Sequence, residues 1–138
     1  MTWIDSIEVA AKTGSEDEAV TVDRLFLGMA GREFRMDEQH VFGNNDTAHV
    51  VFGPTGNTDS AKWNDPRRPR LAMTDLDVFP SYVRLEGDDG WLVESFVVTV
   101  ESRFGERRKF ANPNVEGEGL WLDELSGKYL YLKDVKGE

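Results

Sequence analysis

The sequence predicts an all-β fold, a β-sandwich of two antiparallel sheets with about eight strands. Three observations predict it: apolar and polar side chains alternate along most of the chain, turn residues separate the alternating segments, and no segment has the apolar spacing of a helix. Alternation places one face of each strand in a core and leaves the other in solvent. The 138 residues suffice for one such domain, and we expect residues 1–138 to form it.

The first half of the chain predicts four strands. In the first strand, Ile7, Val9 and Ala11 alternate with residues of the opposite face. The second strand opens at two valines, and a glycine-containing turn at 28–31 joins it to the third strand as a hairpin. The four predicted strands are 7–11, 20–27, 32–36 and 47–52.

Residues 53–70 interrupt this pattern with a long irregular segment, in which three prolines and two glycines oppose regular structure. The segment holds a basic cluster, and an indole flanked by cations suits an interfacial anchor or a protein hot spot. Alternatively, the tryptophan covers a sheet edge and the arginines pair with nearby carboxylates. The residues predicted to bind a partner or a lipid are Lys62, Trp63, Arg67, Arg68 and Arg70.

The second half of the chain predicts four more strands. The longest opens at Trp91, a predicted core residue, and its apolar face switches near Glu94 and Ser95, which predicts a β-bulge. In the last strand Tyr129 and Tyr131 alternate with leucines, so one of the two pairs faces away from the core. If this strand lies at a sheet edge, it offers a surface for β-addition or dimerisation; alternatively, it is a covered terminal strand. The predicted strands are 81–86, 91–100, 107–111 and 128–133.

Composition argues against several classes of partner. The formal net charge of −10 argues against nucleic acid and against simple adsorption to anionic lipid, because both need a clustered basic surface. The absence of cysteine excludes disulfides and thiolate chemistry and fits a reducing compartment. No apolar run is long enough to span a bilayer, and the first residues lack the pattern of a secretion signal. We therefore expect a cytoplasmic protein with no transmembrane segment.

Catalytic chemistry has little support in the sequence. The two histidines, His40 and His49, are too few for a three-histidine metal site within one chain. No zinc-protease, P-loop, nucleophile-elbow or dinucleotide-binding motif is present. We expect no enzyme activity, and a small hydrolase is the least supported alternative.

One segment resembles a family signature. In Asp88–Val100 an acidic turn runs into a Gly-Trp-aliphatic strand with alternating valines, which resembles the PLAT family (polycystin, lipoxygenase, alpha-toxin). Other segments over roughly residues 4–122 are similar to the rest of the family's sequence and occur in the same order as in the family. The resemblance implies two packed four-stranded sheets and a docking role toward lipid surfaces or protein partners. Residues 53–70 form a longer excursion than the family usually has, and residues 129–132 extend past its usual end.

The same resemblance implies a calcium site. Asp17, Asp88 and Asp89 match positions at which some members coordinate calcium, and Glu18 follows the first of them. Calcium takes about six to eight oxygen ligands, which clustered carboxylates and turn carbonyls supply. Alternatively, these acids are only solvated turn residues. The predicted metal ligands are Asp17, Glu18, Asp88 and Asp89.

These features together predict a non-catalytic docking module for a protein partner in trans or for a lipid surface, with calcium optional. One alternative is a self-associating structural subunit that uses an edge strand. Another is a carbohydrate-binding sandwich in which Trp63 or Trp121 stacks on sugar rings.

Overall fold

The computed structural model describes residues 2–14, 24–36, 47–58, 64–87, 90–116, 118–123 and 125–135. Within these ranges the chain is almost entirely β-structure, with nine strands and one short helix. The predicted fold class, an all-β sandwich of antiparallel strands, is confirmed. Among the described residues, no helix is long and apolar enough to cross a membrane.

The strands follow the alternation of the sequence closely, and four of them cover the predicted residues without change. The sequence did not predict a three-residue strand and a four-residue helix, because neither is long enough to establish a period. The elements in chain order are β1 Ile4–Thr13, β2 Arg24–Met29, β3 Arg32–Met36, β4 Thr47–Phe52, α1 Asp75–Val78, β5 Ser81–Glu86, β6 Trp91–Ser102, β7 Arg107–Ala111, β8 Leu120–Leu122 and β9 Tyr129–Asp134.

Two antiparallel sheets form the sandwich. The first has the strand order β4-β1-β6-β7, with β8 beside the start of β6, and the second has the order β3-β2-β5-β9. On one side β9 pairs with β7 and joins the two sheets. On the other side the ring centroid of Phe34 in β3 lies 5.3 Å from that of Phe52 in β4. The two ends of the strand path therefore meet across the core.

The last strand is not the free edge that the sequence allowed. β9 pairs with β5 through Ser81↔Leu132 to Arg84↔Tyr129 and with β7 at its end. Between these pairings the Asn112 side chain donates a hydrogen bond to the Tyr131 carbonyl at 3.1 Å. Over these residues β9 is therefore the covered terminal strand that the sequence also allowed, and the condition for β-addition is not met, because the strand lies where the two sheets join.

Alternate side chains of both sheets fill the core. Trp91 is fully buried, as predicted, and its indole N–H donates to Thr13 Oγ1 at 2.8 Å, which satisfies its one polar atom. The register of β1 against β6 shifts between Lys12 and Thr13, so the bulge predicted near Glu94 is confirmed. The other large side chains that are fully buried include Phe34, Phe52, Phe96, Ile4, Ile7, Leu25, Leu27, Met29, Met36, Leu85 and Leu122.

Two asparagine side chains cover the outer edges of β4 and β3. Asn57 Oδ1 accepts from the Val51 N–H at 2.8 Å, and its Nδ2 donates to the His49 carbonyl at 2.9 Å. Asn64 Oδ1 accepts from the Arg35 N–H at 3.1 Å, and its Nδ2 donates to the Arg35 carbonyl at 2.9 Å. A side-chain amide carries both a donor and an acceptor, so each asparagine replaces part of a missing neighbouring strand.

The sandwich has two different ends. One end carries the residues before β1, the β2–β3 turn, α1 and the β6–β7 turn. Contacts join these pieces: the Arg103 N–H donates to the Trp3 carbonyl at 3.3 Å, and the Phe79 ring packs against Gly31. The opposite end carries the last residue of β1 and the first residues of β2 and β6.

Candidate functional site

A tight turn, Arg67–Arg70, forms one wall of a pocket at the end that carries Trp3. Arg67 and Arg70 form an isolated antiparallel bridge, and the Arg68–Pro69 peptide between them is cis. Buried Asp65 accepts hydrogen bonds from the Arg67 backbone N–H and Nε at 2.9 Å each and from Nη2 at 2.7 Å. These bonds from Arg67 hold the pKa of the Asp65 carboxyl below its ordinary value. A buried carboxylate therefore fixes the turn.

Arg32 ties the same turn to the second sheet. Its Nη1 donates to the Asp65 carbonyl at 2.8 Å and to the Arg68 carbonyl at 3.0 Å. Its guanidinium carbon also lies 4.9 Å from the centroid of the Phe34 ring. Arg32 therefore supports the backbone of the turn and holds it over the end of the sandwich.

The N-terminal segment and the β6–β7 turn form the other walls. Backbone hydrogen bonds join residues 2–4 to residues 71–73, which places Trp3 beside the turn. The Arg70 guanidinium carbon lies 5.6 Å from the centroid of the Trp3 ring, within the range of a cation–π contact. Arg103 completes the wall from the β6–β7 turn.

These walls surround an open pocket of about 350 Å³. Four arginines and Asp5 line it, in a chain whose formal net charge is −10. Within the part of the chain that the structure describes, the exposed Arg68 and Arg103 guanidiniums donate no hydrogen bond and form no ion pair with a carboxylate. The pocket therefore concentrates positive charge, part of which is available to a ligand.

The structure brings together three of the five residues that the sequence predicted for partner or lipid binding. Arg67, Arg68 and Arg70 all line the pocket. Lys62 and Trp63 lie outside the described residues. Trp3 and Arg103 were not predicted as residues of a binding site. The Arg-Phe-Gly sequence at 103–105, a turn with a basic and an aromatic residue, offered a weak signal.

Exposed apolar side chains occupy the same end of the molecule. Phe104, next to Arg103 in the β6–β7 turn, is 84% exposed, and Val78 and Phe79 at the end of α1 are 71% and 45% exposed. Arg108 holds α1 in place, since its Nη2 donates to Asp77 Oδ1 at 2.7 Å. We call this end, with the pocket and the three apolar residues, the arginine end.

The outer face of the second sheet carries a different surface. The rings of Tyr129 and Tyr131 are nearly parallel, with centroids 6.0 Å apart, and Tyr82 lies 5.4 Å and 6.1 Å from them. Tyr82 leans over Gly28, where an added Cβ would lie 2.3 Å from the ring. The two β9 tyrosines are exposed, so they are the pair that faces away from the core. We call this surface the tyrosine face.

Charged groups lock one side of the tyrosine face. Glu33 accepts from the Tyr82 hydroxyl at 2.6 Å and from Arg84 Nε and Nη2 at 3.0 Å and 2.9 Å. Desolvation and the bond to Glu33 raise the pKa of Tyr82 to about 12. Arg84 also lies 4.4 Å from the centroid of the Phe26 ring. The guanidinium of Arg84 is therefore occupied by contacts within the tyrosine face.

The predicted calcium ligands, Asp17, Glu18, Asp88 and Asp89, lie outside the described residues. The described residues that border the two acidic segments lie at the same end of the sandwich. The end of β1, which precedes one segment, lies beside the start of β6, which follows the other, and the Gly14 N–H donates to the Leu92 carbonyl at 2.9 Å. That end is opposite the arginine end. Among the described residues, no three carboxylates or histidines cluster as a metal site would require.

The remaining candidates from the sequence lie apart from the pocket. His49 is on the outer face of β4, exposed as predicted, with its Nε2 3.9 Å from Glu8 Oε2. His40 lies outside the described residues. Trp121, one of the two proposed sugar-stacking residues, is partly buried in β8, where it pairs with Leu92.

Comparison with solved structures shows which folds this sandwich resembles. Over 94% of this chain, it matches a deletion variant of a lipoxygenase in complex with arachidonate, with a TM-score of 0.56 and 12% identity. Over 97% of this chain, it matches the alpha toxin from Clostridium absonum, with a TM-score of 0.56 and 17% identity. The fold is PLAT-like. At these identities the likeness shows the fold alone.

The matched regions are parts of longer proteins. This chain spans 16% of the lipoxygenase and 32% of the alpha toxin. No family model matches the sequence, and no curated protein matches it. The PLAT-like resemblance that began with the Trp91 strand is therefore supported at the level of fold.

Proposed function

We propose that this chain is a non-catalytic docking module of the PLAT type that attaches its arginine end to an anionic lipid surface. One observation carries the proposal: four arginines from two separate turns, residues 67–70 and the β6–β7 turn, line one open pocket, and exposed apolar side chains lie at the same end. Basic residues attract the anionic headgroups, and apolar residues gain free energy by entering the interface.

The net charge of the chain, together with its basic end, favours one orientation of the protein at an anionic membrane. The value of −10 argued against simple adsorption to anionic lipid, because such adsorption needs a clustered basic surface. The structure limits that argument, since it places four arginines together at one end. An acidic body with one basic end is repelled by an anionic membrane in most orientations and attracted in one. The arginine end is the part of the described surface that fits this approach.

Sedimentation with vesicles tests the proposal. We expect the protein to bind vesicles of phosphatidylcholine and phosphatidylserine more tightly than vesicles of phosphatidylcholine alone. Phe104→Ser should weaken that binding about tenfold, because it removes an exposed aromatic anchor. Leu125→Ser is the matched control, since Leu125 is 98% exposed but lies beyond β8 at the opposite end. Equal losses from the two variants, or no binding to either vesicle, would contradict the proposal.

Calcium assistance is a separate part of the proposal. We assign the ion to Asp17, Glu18, Asp88 and Asp89. The described residues that border these acids lie at the end opposite the pocket, so calcium would add a second contact rather than complete the first. The same vesicle assay in millimolar calcium and in chelator tests this. A calcium effect that survives neutralisation of Asp88 and Asp89 to Asn would reject these ligands.

A protein partner is the second candidate, and the tyrosine face favours it. Tyrosine and arginine are enriched at protein interfaces, and Tyr129 and Tyr131 present two rings to solvent on the outer face of the second sheet. A partner or a second copy of this chain would cover them. Sedimentation velocity over a wide range of concentration tests the second copy, and Tyr131→Ser should abolish any increase in mass.

A further inference from the structure

We propose that the arginine pocket binds the terminal phosphate of a phosphomonoester lipid headgroup and prefers it to a phosphodiester headgroup. This inference rests on the proposed function, since the pocket opens at the end that would meet the membrane. It adds a ligand class that docking through charge and apolar contact does not require.

The charges around the pocket match a dianion. The lining has four guanidiniums and one carboxylate, that of Asp5, which leaves a surplus of three positive charges. Asp65 takes three hydrogen bonds from Arg67 and neutralises it, so two positive charges remain for a ligand. A phosphomonoester carries about −1.5 to −2 at pH 7, whereas a phosphodiester carries about −1.

The negative charges of the site are concentrated around one arginine. Asp65 bonds Arg67 directly and acts on Arg68 through space, and Asp5 acts on Arg67 through space; both carboxylates raise the pKa of Arg67, the Asp65 bond more strongly. Arg70 lies over the Trp3 ring, and a cation–π contact uses none of the guanidinium's N–H donors. The donors that face a ligand therefore come chiefly from Arg68 and Arg103, with Arg70 beside them.

The geometry of these donors also favours a phosphomonoester. A guanidinium is a planar fork that bonds two oxygens of one phosphate at once. Arg68 and Arg103 reach the pocket from two different walls, the 67–70 turn and the β6–β7 turn. Two forks from different directions can engage the three terminal oxygens of a monoester, whereas a diester offers two such oxygens and a second ester arm that must be accommodated.

Vesicles of matched surface charge test the preference. One set contains phosphatidylcholine with about 10 mol% phosphatidate, and the other contains about 20 mol% phosphatidylglycerol, because the first headgroup carries about twice the charge of the second. We expect the wild-type chain to bind the phosphatidate vesicles about tenfold more tightly, a difference of about 1.4 kcal/mol. Glycerol 3-phosphate in solution is the third arm, and we expect it to compete only weakly.

Paired variants assign the preference to the pocket. Arg68→Gln with Arg103→Gln should bring the two vesicle affinities to within about twofold of each other, because the variant lacks both forks. Arg24→Gln with Lys128→Gln removes the same charge at the opposite end, and this control should keep the preference. Thermal unfolding of each variant checks that the fold is intact before binding is measured.

The possible outcomes test different parts of the proposal. Equal wild-type affinity for the two vesicle sets overturns the phosphomonoester preference and leaves the docking proposal standing. No binding to either set overturns both. Glycerol 3-phosphate that binds as tightly as phosphatidate vesicles overturns the lipid source and indicates a soluble phosphomonoester ligand. A preference that the Arg68/Arg103 variant retains overturns the assignment to this pocket.

Discussion

Arg84 on the tyrosine face and the Arg68–Arg103 pair at the arginine end differ in what their guanidiniums contact. Arg84 donates to Glu33 through two nitrogens, reaches Glu86 at 3.5 Å, and lies over the Phe26 ring. In the described part of the chain, the guanidiniums of Arg68 and Arg103 have no such carboxylate. Arg84 therefore stabilises the fold, whereas Arg68 and Arg103 are available to a ligand.

Pairing with a carboxylate, and not charge alone, identifies the arginines that can bind a partner. A fully paired guanidinium must break its existing hydrogen bonds before it can bind a phosphate, and this cost cancels much of the gain. An exposed guanidinium gives up only water. Measurements of stability and of vesicle binding should therefore separate the two groups cleanly.

The largest expected effect comes from Gly28, which makes room for the ring of Tyr82. Gly28→Ala places a Cβ about 2.3 Å from that ring, so the ring must move and lose its bond to Glu33. We expect a loss of about 2 kcal/mol in the free energy of unfolding, measured in urea. In a Tyr82→Ala background the same change should cost clearly less; an undiminished cost would mean that the ring is not the obstacle.

The two arginine groups should differ next in stability. Arg84→Gln should lower the free energy of unfolding by about 1 kcal/mol, because it breaks a bidentate pair in which the arginine side chain is only 21% exposed. Arg68→Gln should change it by less than about 0.5 kcal/mol. Vesicle binding should show the reverse order. A stability loss from Arg68→Gln as large as that from Arg84→Gln would erase the distinction.

The smallest expected effect is a dependence of stability on acid. Hydrogen bonds from Arg84 lower the pKa of Glu33 from 4.5, so the folded state favours the ionised carboxylate. This stabilisation is present above pH 4.5 and is lost as the pH falls through the lower pKa of the folded state. Glu33→Gln should flatten that part of the profile of unfolding free energy against pH. If the Glu33→Gln variant has the same profile as the wild type, other carboxyls account for the loss of stability in acid.

Much of the fold could be predicted from local pattern. Alternation identified the strands, and the switch of the apolar face in the Trp91 strand located a bulge that the register confirms. The candidate site could be predicted only in part. Arg67, Arg68 and Arg70 are adjacent in sequence, so their cluster is visible there, whereas Arg103 joins them through a turn more than thirty positions away. No local pattern reports a contact of that separation.

The sequence by itself determined the class of fold and the faces of most strands, because side-chain direction in a strand follows from position alone. It also determined the net charge and the position of one basic cluster. Only the tertiary structure decided which arginines are paired. Glu33 meets Arg84 across 51 positions, and β9 loses its edge because the sheets join there. Such contacts depend on how distant strands align, so they appear only once the chain has folded.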